Sequence, residues 1–419
     1  MIDIKQKSQC MGCAACSQIC PKNSITMKAD NEGFLYPIVN TETCINCGAC
    51  DRVCPVSNTE FIPKDGFPNA WLVYDKEVES RKRSAAGGGF SAIAREFILE
   101  YGGVVFGAAY DDSYYVHHCS VESVTELTKL QKSKYVQSDV NGTFLEVREY
   151  LKNDRYVLYS GTPCQIYGLK RFLGTLADSS HLYCIDLSCH GVPSPKVFKE
   201  YLKCLETLEN SKLVSFTMRG KKFKKNAYDQ GFHIRFYDGN VQFNSHSQDM
   251  FGRCFWGEIA SRPSCYDCHF KTIWRTADIT LGDCWFFNCY VHKEQDAYGV
   301  TLALAHSDKG KKLIESSNCL ITYSVPAEKL IKANGGMLYS SAVPHKKRTE
   351  FFEKLGSIPF DQLVDEMVPA KQPGKKQRIL ELLDRIGIRM EFLRGKSRNR
   401  KLQERLKTEI PITARGEMR

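Results

Sequence analysis

The sequence predicts an α+β protein in two unequal parts: a small cysteine-rich unit over residues 1–60, then a larger α/β domain with an antiparallel portion over residues 61–345. A helical, basic extension follows at 346–419. Three observations predict this. A tandem cysteine repeat fills the first part. Strand-like apolar runs alternate with runs of helical period through the middle. Beyond Ser211 that alternation gives way to paired strands around Asp238-Gly239.

The repeat reads Cys-x2-Cys-x2-Cys-x3-Cys-Pro twice, as Cys10, Cys13, Cys16, Cys20, Pro21 and as Cys44, Cys47, Cys50, Cys54, Pro55. Three cysteines two residues apart wrap a tight loop around one cubane, the fourth ligates the other cubane, and the proline turns the chain away. Residues 1–60 therefore read as a ferredoxin-like domain with two 4Fe-4S clusters. Cys10, Cys13, Cys16 and Cys54 hold the first cluster; Cys44, Cys47, Cys50 and Cys20 hold the second. Zinc sites use well-separated Cys-x2-Cys pairs instead, and a disulfide framework needs an oxidising compartment.

Composition bounds the rest. A chain of 419 residues, 42% hydrophobic, has room for two or three domains with cores of their own. The first residues hold no apolar run of signal-peptide type and no later segment reaches membrane-spanning length, so the expectation is a cytoplasmic protein. Nineteen cysteines there point to metal and redox chemistry. The formal charge of +10 is concentrated at the end, since residues 371–419 hold 15 Lys or Arg against 6 Asp or Glu. The body is thus near neutral, which argues against nucleic acid as a partner.

In chain order, the Pro- and Gly-containing stretch 56–68 reads as a linker. A strand is expected at Ala70–Tyr74 and a helix from Gly88 or Gly89, with Phe90, Ile93, Ala94, Phe97, Ile98 and Tyr101 on its apolar face. Between them lies Arg81-Lys82-Arg83-Ser84-Ala85-Ala86-Gly87-Gly88-Gly89. A basic, glycine-rich loop entering a helix offers amides, dipole and cations to a cofactor phosphate, or is simply a flexible turn. Strands follow at Gly103–Tyr110, Arg155–Ser160 and Leu182–Ser188, and Ser123 with Glu126 and Thr143 with Glu146 suggest capping boxes. Cys164 and Cys189 each fall in a turn after a strand, the second ahead of Ser194-Pro195 as N-cap and first helical residue. Ligands of such α/β layers gather at the carboxyl ends of strands. Phe232–Tyr237 and Val241–Asn244 form a hairpin, Ala277–Asp283 ends a strand in a glycine turn, and 300–324 reads strand, helix, strand.

Five motifs, Ser133 to Ser138, Gly161 to Gln165, Cys189-His190-Gly191, Arg262 to Cys268 and Ala277 to Asp283, together resemble the coenzyme F-420 hydrogenase/dehydrogenase beta-subunit family from about residue 70 to 345. Members are iron-sulfur flavoproteins, so the resemblance implies FAD, with Ser84, Gly87, Gly88, Gly89, Lys134, Tyr135 and Gln137 as cofactor-binding candidates. It also carries the family's cysteines onto Cys164, Cys189, Cys265 and Cys268, a candidate third 4Fe-4S cluster, with zinc as the alternative. Cys254, Cys284 and Cys289 are substitute ligands, whereas Cys119, Cys184, Cys204 and Cys319 read as buried hydrophobes. After Cys268 the chain has His269-Phe270-Lys271-Thr272, without the acidic residue expected of archaeal deazaflavin-using members, which leaves the hydride partner open.

The expected activity is a flavin- and iron-sulfur-dependent oxidoreductase. It would pass electrons between a hydride-carrying coenzyme at FAD and a one-electron redox partner protein. A side-chain nucleophile is not expected, and His117, His118 and His190 are read as structural. A ferredoxin-fed reductase of an organic substrate and a non-catalytic electron-transfer subunit are the alternatives. In the tail, Ile379, Leu382, Leu383, Ile386, Met390 and Leu393 line one face of a basic helix suited to a membrane surface, a partner or the protein's own body.

Overall fold

The computed structural model describes residues 1–57, 65–224, 227–285, 287, 298–334, 336–370 and 402–407. The amphipathic segment expected at 379–393 and Cys289 lie outside the described residues.

The N-terminal unit pairs β1 (Ile25–Ala29) with β2 (Leu35–Val39) antiparallel and places the short helices Ala15–Gln18 and Ala49–Val53 beside them. The body is built on β3 (Asn69–Asp75), β4 (Val104–Tyr110), β5 (Val116–Val121), β6 (Val157–Gly161) and β7 (Leu182–Leu187). A separate three-stranded sheet contains β8 (Leu213–Lys224), β9 (Ala227–Phe236) and β10 (Val241–Ser245), all antiparallel. The chain then returns to the first sheet with β11 (Ile279–Asp283), β12 (Thr301–Ala305) and β13 (Leu320–Ser324).

The resulting eight-stranded order is β13-β3-β12-β11-β7-β6-β4-β5. Its centre, β4 to β6 to β7 to β11, is parallel, and both flanks are antiparallel. Strand alternation gives each face its own core. Val105, Leu158 and Ile185 pack with Ile93 and Phe97 of the helix Gly89–Tyr101. Val104, Phe106, Val157 and Tyr159 pack on the opposite face with Ile166 and Phe172 of the helix Pro163–Leu173. Cys13, Ala15 and Val53 join this second core, so the N-terminal unit is seated directly on the sheet's helical layer.

Three expectations are corrected. Thr143 is the first residue of the helix Thr143–Lys152 behind Gly142, and its hydroxyl donates to the Val140 carbonyl, so it caps nothing with Glu146. Ser123 bonds the Glu126 side chain, but the helix begins only at Leu127. A capping box forms instead at Thr162 with Gln165, closed around Pro163. Residues 348–354 and 360–367 form helices whose Phe351, Leu363 and Val364 share the core of the three-stranded sheet, so the chain up to 370 is part of the body. No helix among the described residues is long and apolar enough to cross a membrane.

Candidate redox site

Two small cavities sort the eight repeat cysteines. Cys10, Cys13, Cys16 and Cys54 line one, and Cys20, Cys44, Cys47 and Cys50 line the other. Each run thus contributes its fourth cysteine to the opposite cavity, the crossing that the spacing predicts. The loops close because Gly12, Ala14, Asn46 and Gly48 take left-handed backbone angles, which aim successive sulfurs inward. Amides of Ile2, Gly12 and Ser24 donate to the sulfurs of Cys50, Cys10 and Cys20 at 3.2, 3.4 and 3.3 Å. Burial pushes the Cys13 and Cys16 thiols up, with charge repulsion from neighbouring cysteines adding to it. Such a set is stable as thiolates only around a cation, which is the requirement an iron-sulfur cluster meets.

The four dispersed cysteines also meet. Cys164 lies in the first turn of Pro163–Leu173, Cys189 in the turn after β7, Cys265 ends the one-turn helix Pro263–Cys265, and Cys268 follows it. Together they line one cavity, with Met11, Phe270 and Lys271 among its walls. Burial raises the thiols of Cys164, Cys189 and Cys265, and each is raised further by the charge of Cys268. Among the described residues no three His, Cys, Asp or Glu side chains close on one point as ligands of a single ion would. Cys254 is instead packed in the core of the three-stranded sheet, and Cys284 packs beside Phe287; neither reaches the cavity. Cys184 is fully buried, while Cys119, Cys204 and Cys319 are half-buried.

A cleft of about 330 Å³ opens at the carboxyl ends of β6, β7 and β11, where α/β sheets take ligands, and β8 and β9 form its far wall. Ser84, Gly88, Gly89, Lys134 and Tyr135 line it, and Gly87 and Gln137 do not. Gly87 is pressed against β12, where a β-carbon would lie 2.7 Å from the Thr301 nitrogen. Gln137 faces the N-terminal unit, donating to the Met11 carbonyl and accepting from Arg262. The cations of the glycine loop are also used elsewhere. Arg81 lies over the Tyr74 ring, Lys82 pairs with Glu79, and Arg83 pairs with Glu77.

Lys132, Lys134, Arg219 and Asp283 are the charged Lys, Arg and Asp side chains among the residues lining the cleft. Lys134 is half-buried with its amine on the Gln131 carbonyl at 2.9 Å, and desolvation pushes its pKa down to about 7. Arg219 of β8 holds Asp283 at 2.6 Å, Tyr135 at 3.1 Å and the Ala85 carbonyl at 3.1 Å, clamping the glycine loop to the cleft wall. Behind that loop, the first-turn amides of Phe90 and Ser91 have no partner inside their helix. Tyr135, Phe255, Trp256 and His190 supply an aromatic face, with centroids 5.0 Å apart for Tyr135–Phe255 and 5.1 Å for His190–Trp256. His118 donates to the Ser160 carbonyl at 3.0 Å and faces the Ser138 hydroxyl at 2.8 Å; burial pushes its pKa down to about 4, so it is neutral. His190 is paired with Glu258, and His117 lies on the edge strand β5.

The cleft and the four-cysteine cavity share a wall made of Thr162 and Cys189 to Val192. Further in, the charge of Cys13 reaches Cys164, and that of Cys50 reaches Cys16. Cleft, dispersed cysteines, inner repeat set and outer repeat set are therefore neighbours in that order. Arg219, Phe255 and Trp256 are not legible as site residues, because Met218 and Arg219 are both buried and give the strand no alternation to read. Thr162 is legible in principle from its Thr-Pro-x-Gln signature.

Residues 154–325 match the family described as the C terminus of the coenzyme F420 hydrogenase/dehydrogenase beta subunit, and residues 9–58 match the 4Fe-4S dicluster domain. No curated protein matches the chain. A chain of the F420-reducing NiFe hydrogenase complex from Methanosarcina barkeri, solved in a xenon-derivatised form, is distantly similar, at 14% identity and a TM-score of 0.43 over 78% of this chain and 97% of that one.

Proposed function

For a chain whose residues 9–58 match the 4Fe-4S dicluster domain and whose residues 154–325 match the C terminus of the coenzyme F420 hydrogenase/dehydrogenase beta subunit, we propose an iron-sulfur flavoprotein oxidoreductase. It connects a hydride carrier at FAD in the cleft to a one-electron protein partner at the outer cluster. The observation that carries this reading is the shared wall: the turn Cys189 to Val192 borders both the cleft and the four-cysteine cavity.

The cleft's residues fit a flavin dinucleotide. Lys134 and the free first-turn amides suit a phosphate, and Tyr135, Phe255 and Trp256 suit a planar ring. When bound, FAD supplies the conversion between a two-electron hydride and single electrons. The chain's own residues bind and orient: Arg219 fixes the glycine loop, and neutral His118 braces β5 against β6. Cys164, Cys189, Cys265 and Cys268 would hold a third 4Fe-4S cluster, and Cys10 to Cys54 would hold the two that lead on to the partner. A soluble cytoplasmic location suits both a diffusing hydride carrier and reduced clusters.

Anaerobic reconstitution with iron, sulfide and FAD tests this. One tightly held FAD and about twelve irons per chain are expected. About eight irons would remove the third cluster, and no retained flavin would overturn the assignment of the cleft.

A further inference from the structure

Arg262 is fully buried, and its guanidinium has only neutral acceptors. Nε donates to the Cys10 carbonyl at 2.7 Å, Nη1 to Gln137 Oε1 at 2.8 Å and Nη2 to the Leu35 carbonyl at 2.9 Å. Tyr36 covers one face, with its ring centroid 4.3 Å from the guanidinium carbon. No carboxylate pairs with it among the described residues. The acids nearest its aromatic neighbours are taken, Asp30 by Lys7 at 2.6 Å and Glu32 by Arg348 at 2.6 Å.

A buried cation without a counter-charge is costly, and natural cores pair or solvate such groups. Two cysteine-bearing loops meet at Arg262. Its side chain is bonded to the carbonyl of Cys10, and its own carbonyl accepts from the Cys265 amide at 2.9 Å. It therefore sits between the loop that carries the inner repeat set and the loop that carries two of the dispersed cysteines. Gly12 makes room for it: a β-carbon there would fall 2.3 Å from Gln137 Nε2 and 2.8 Å from Arg262 Nη1, and the φ of +68° is itself one that glycine accepts most readily.

We propose that Arg262 is the buried counter-cation of the relay, a positioning residue that raises the reduction potential of the cluster held by Cys10, Cys13, Cys16 and Cys54. Four thiolates leave a cubane anionic, and an added electron makes it more so. A fixed positive charge in a low-dielectric setting favours the reduced form. One electron enters the cluster, and no bond to a side chain forms or breaks. The guanidinium also ties the two loops together, so the charge cannot drift when the electron arrives. The inference rests on the cluster reading above. Iron content of the unmutated chain reports on that reading separately, and the midpoint of the loaded protein reports on Arg262.

The test is an anaerobic dithionite titration of the full reconstituted chain, followed by electron paramagnetic resonance, for the unmutated protein, Arg262→Gln and Gln137→Glu. Gln137→Glu keeps the side chain's size and gives Arg262 a carboxylate that cancels its charge, while giving up the donor to the Met11 carbonyl. Both variants are expected to lower one cluster's midpoint by at least a tenfold change in its equilibrium constant, about 59 mV for one electron. If Arg262→Gln fails to retain iron, Gln137→Glu decides alone. A midpoint that stays put or rises in a fully loaded variant overturns the proposal.

Discussion

Gly168 and Cys13 touch across the two parts of the chain: a β-carbon at 168 would lie 2.9 Å from the Cys13 sulfur. The helix Pro163–Leu173 therefore presents a bare backbone to the inner repeat loop while carrying Cys164 at its start. One helix spaces two of the three thiol sets. Gly168→Ala weighs two opposed effects. Alanine gains about 1 kcal/mol in helix propensity, but overpacking a tight contact costs about 1–3 kcal/mol. The contact is with a sulfur fixed by its cluster, so we expect net destabilisation, read as a lower thermal midpoint of the loaded protein and a perturbed resonance signal from the inner cluster. A higher midpoint with an unchanged signal would contradict the close approach.

Lys134 gives the cleft a pH signature. Its pKa falls from 10.5 to about 7 on folding because burial disfavours the charged amine. The unfolded chain then binds more protons between these values, so stability of the flavin-free protein should rise with pH across that window. An anionic ligand reverses the preference by requiring the protonated amine. FAD affinity should accordingly weaken as pH climbs above about 7, and isothermal titration in two buffers of different ionisation heat should show proton uptake. Lys134→Met should lose that pH dependence and weaken binding about 10- to 100-fold, the worth of a charged hydrogen bond of about 1.5–3 kcal/mol. An unchanged pH profile in the variant would remove Lys134 from the binding site.

The dispersed cysteines separate from the bystanders by iron count. Cys189→Ser or Cys268→Ser should reduce bound iron from about twelve to about eight per chain while leaving FAD bound. Cys254→Ala and Cys284→Ala should leave iron unchanged, because both thiols are packed in apolar cores. Loss of four irons from either alanine variant would reassign the ligands.

Arg348 holds Glu32 with both terminal guanidinium nitrogens, Nη1 at 3.1 Å and Nη2 at 2.6 Å, and so fastens the 346–370 segment to the N-terminal unit. Arg348→Ala leaves a largely buried carboxylate without its partner, a loss of about 3 kcal/mol. Limited proteolysis should then release the N-terminal unit faster than in the unmutated chain. Equal rates would show that the apolar contacts of Phe34 and Tyr36 suffice.

Sequence makes the repeat cysteines legible and leaves the cleft obscure, for a physical reason. The repeat cysteines are local, so spacing alone sorts them into Cys10, Cys13, Cys16, Cys54 and Cys20, Cys44, Cys47, Cys50, the grouping seen in the two cavities. Local rules also place Ser194 as an N-cap, which accepts from Lys196 and Val197, and Asp238-Gly239 between β9 and β10. The cleft is assembled from residues as far apart as Ser84 and Met337, and no local pattern marks Arg219 as the clamp on Ala85 or Gln137 as the anchor of Arg262. Gln137 shares a motif with Lys134 and Tyr135 but turns away from them, because the irregular segment there follows no strand alternation.

Electron flow from cleft to clusters is tested most simply by rapid mixing of the FAD-loaded, cluster-loaded chain with a reduced hydride carrier, deazaflavin or nicotinamide, while flavin and cluster absorbance are followed together. Flavin should bleach first and the clusters follow, and in Cys189→Ser the flavin phase should persist while cluster reduction is slowed or lost. Cluster reduction at the unmutated rate in Cys189→Ser, or without any flavin phase, would contradict that order.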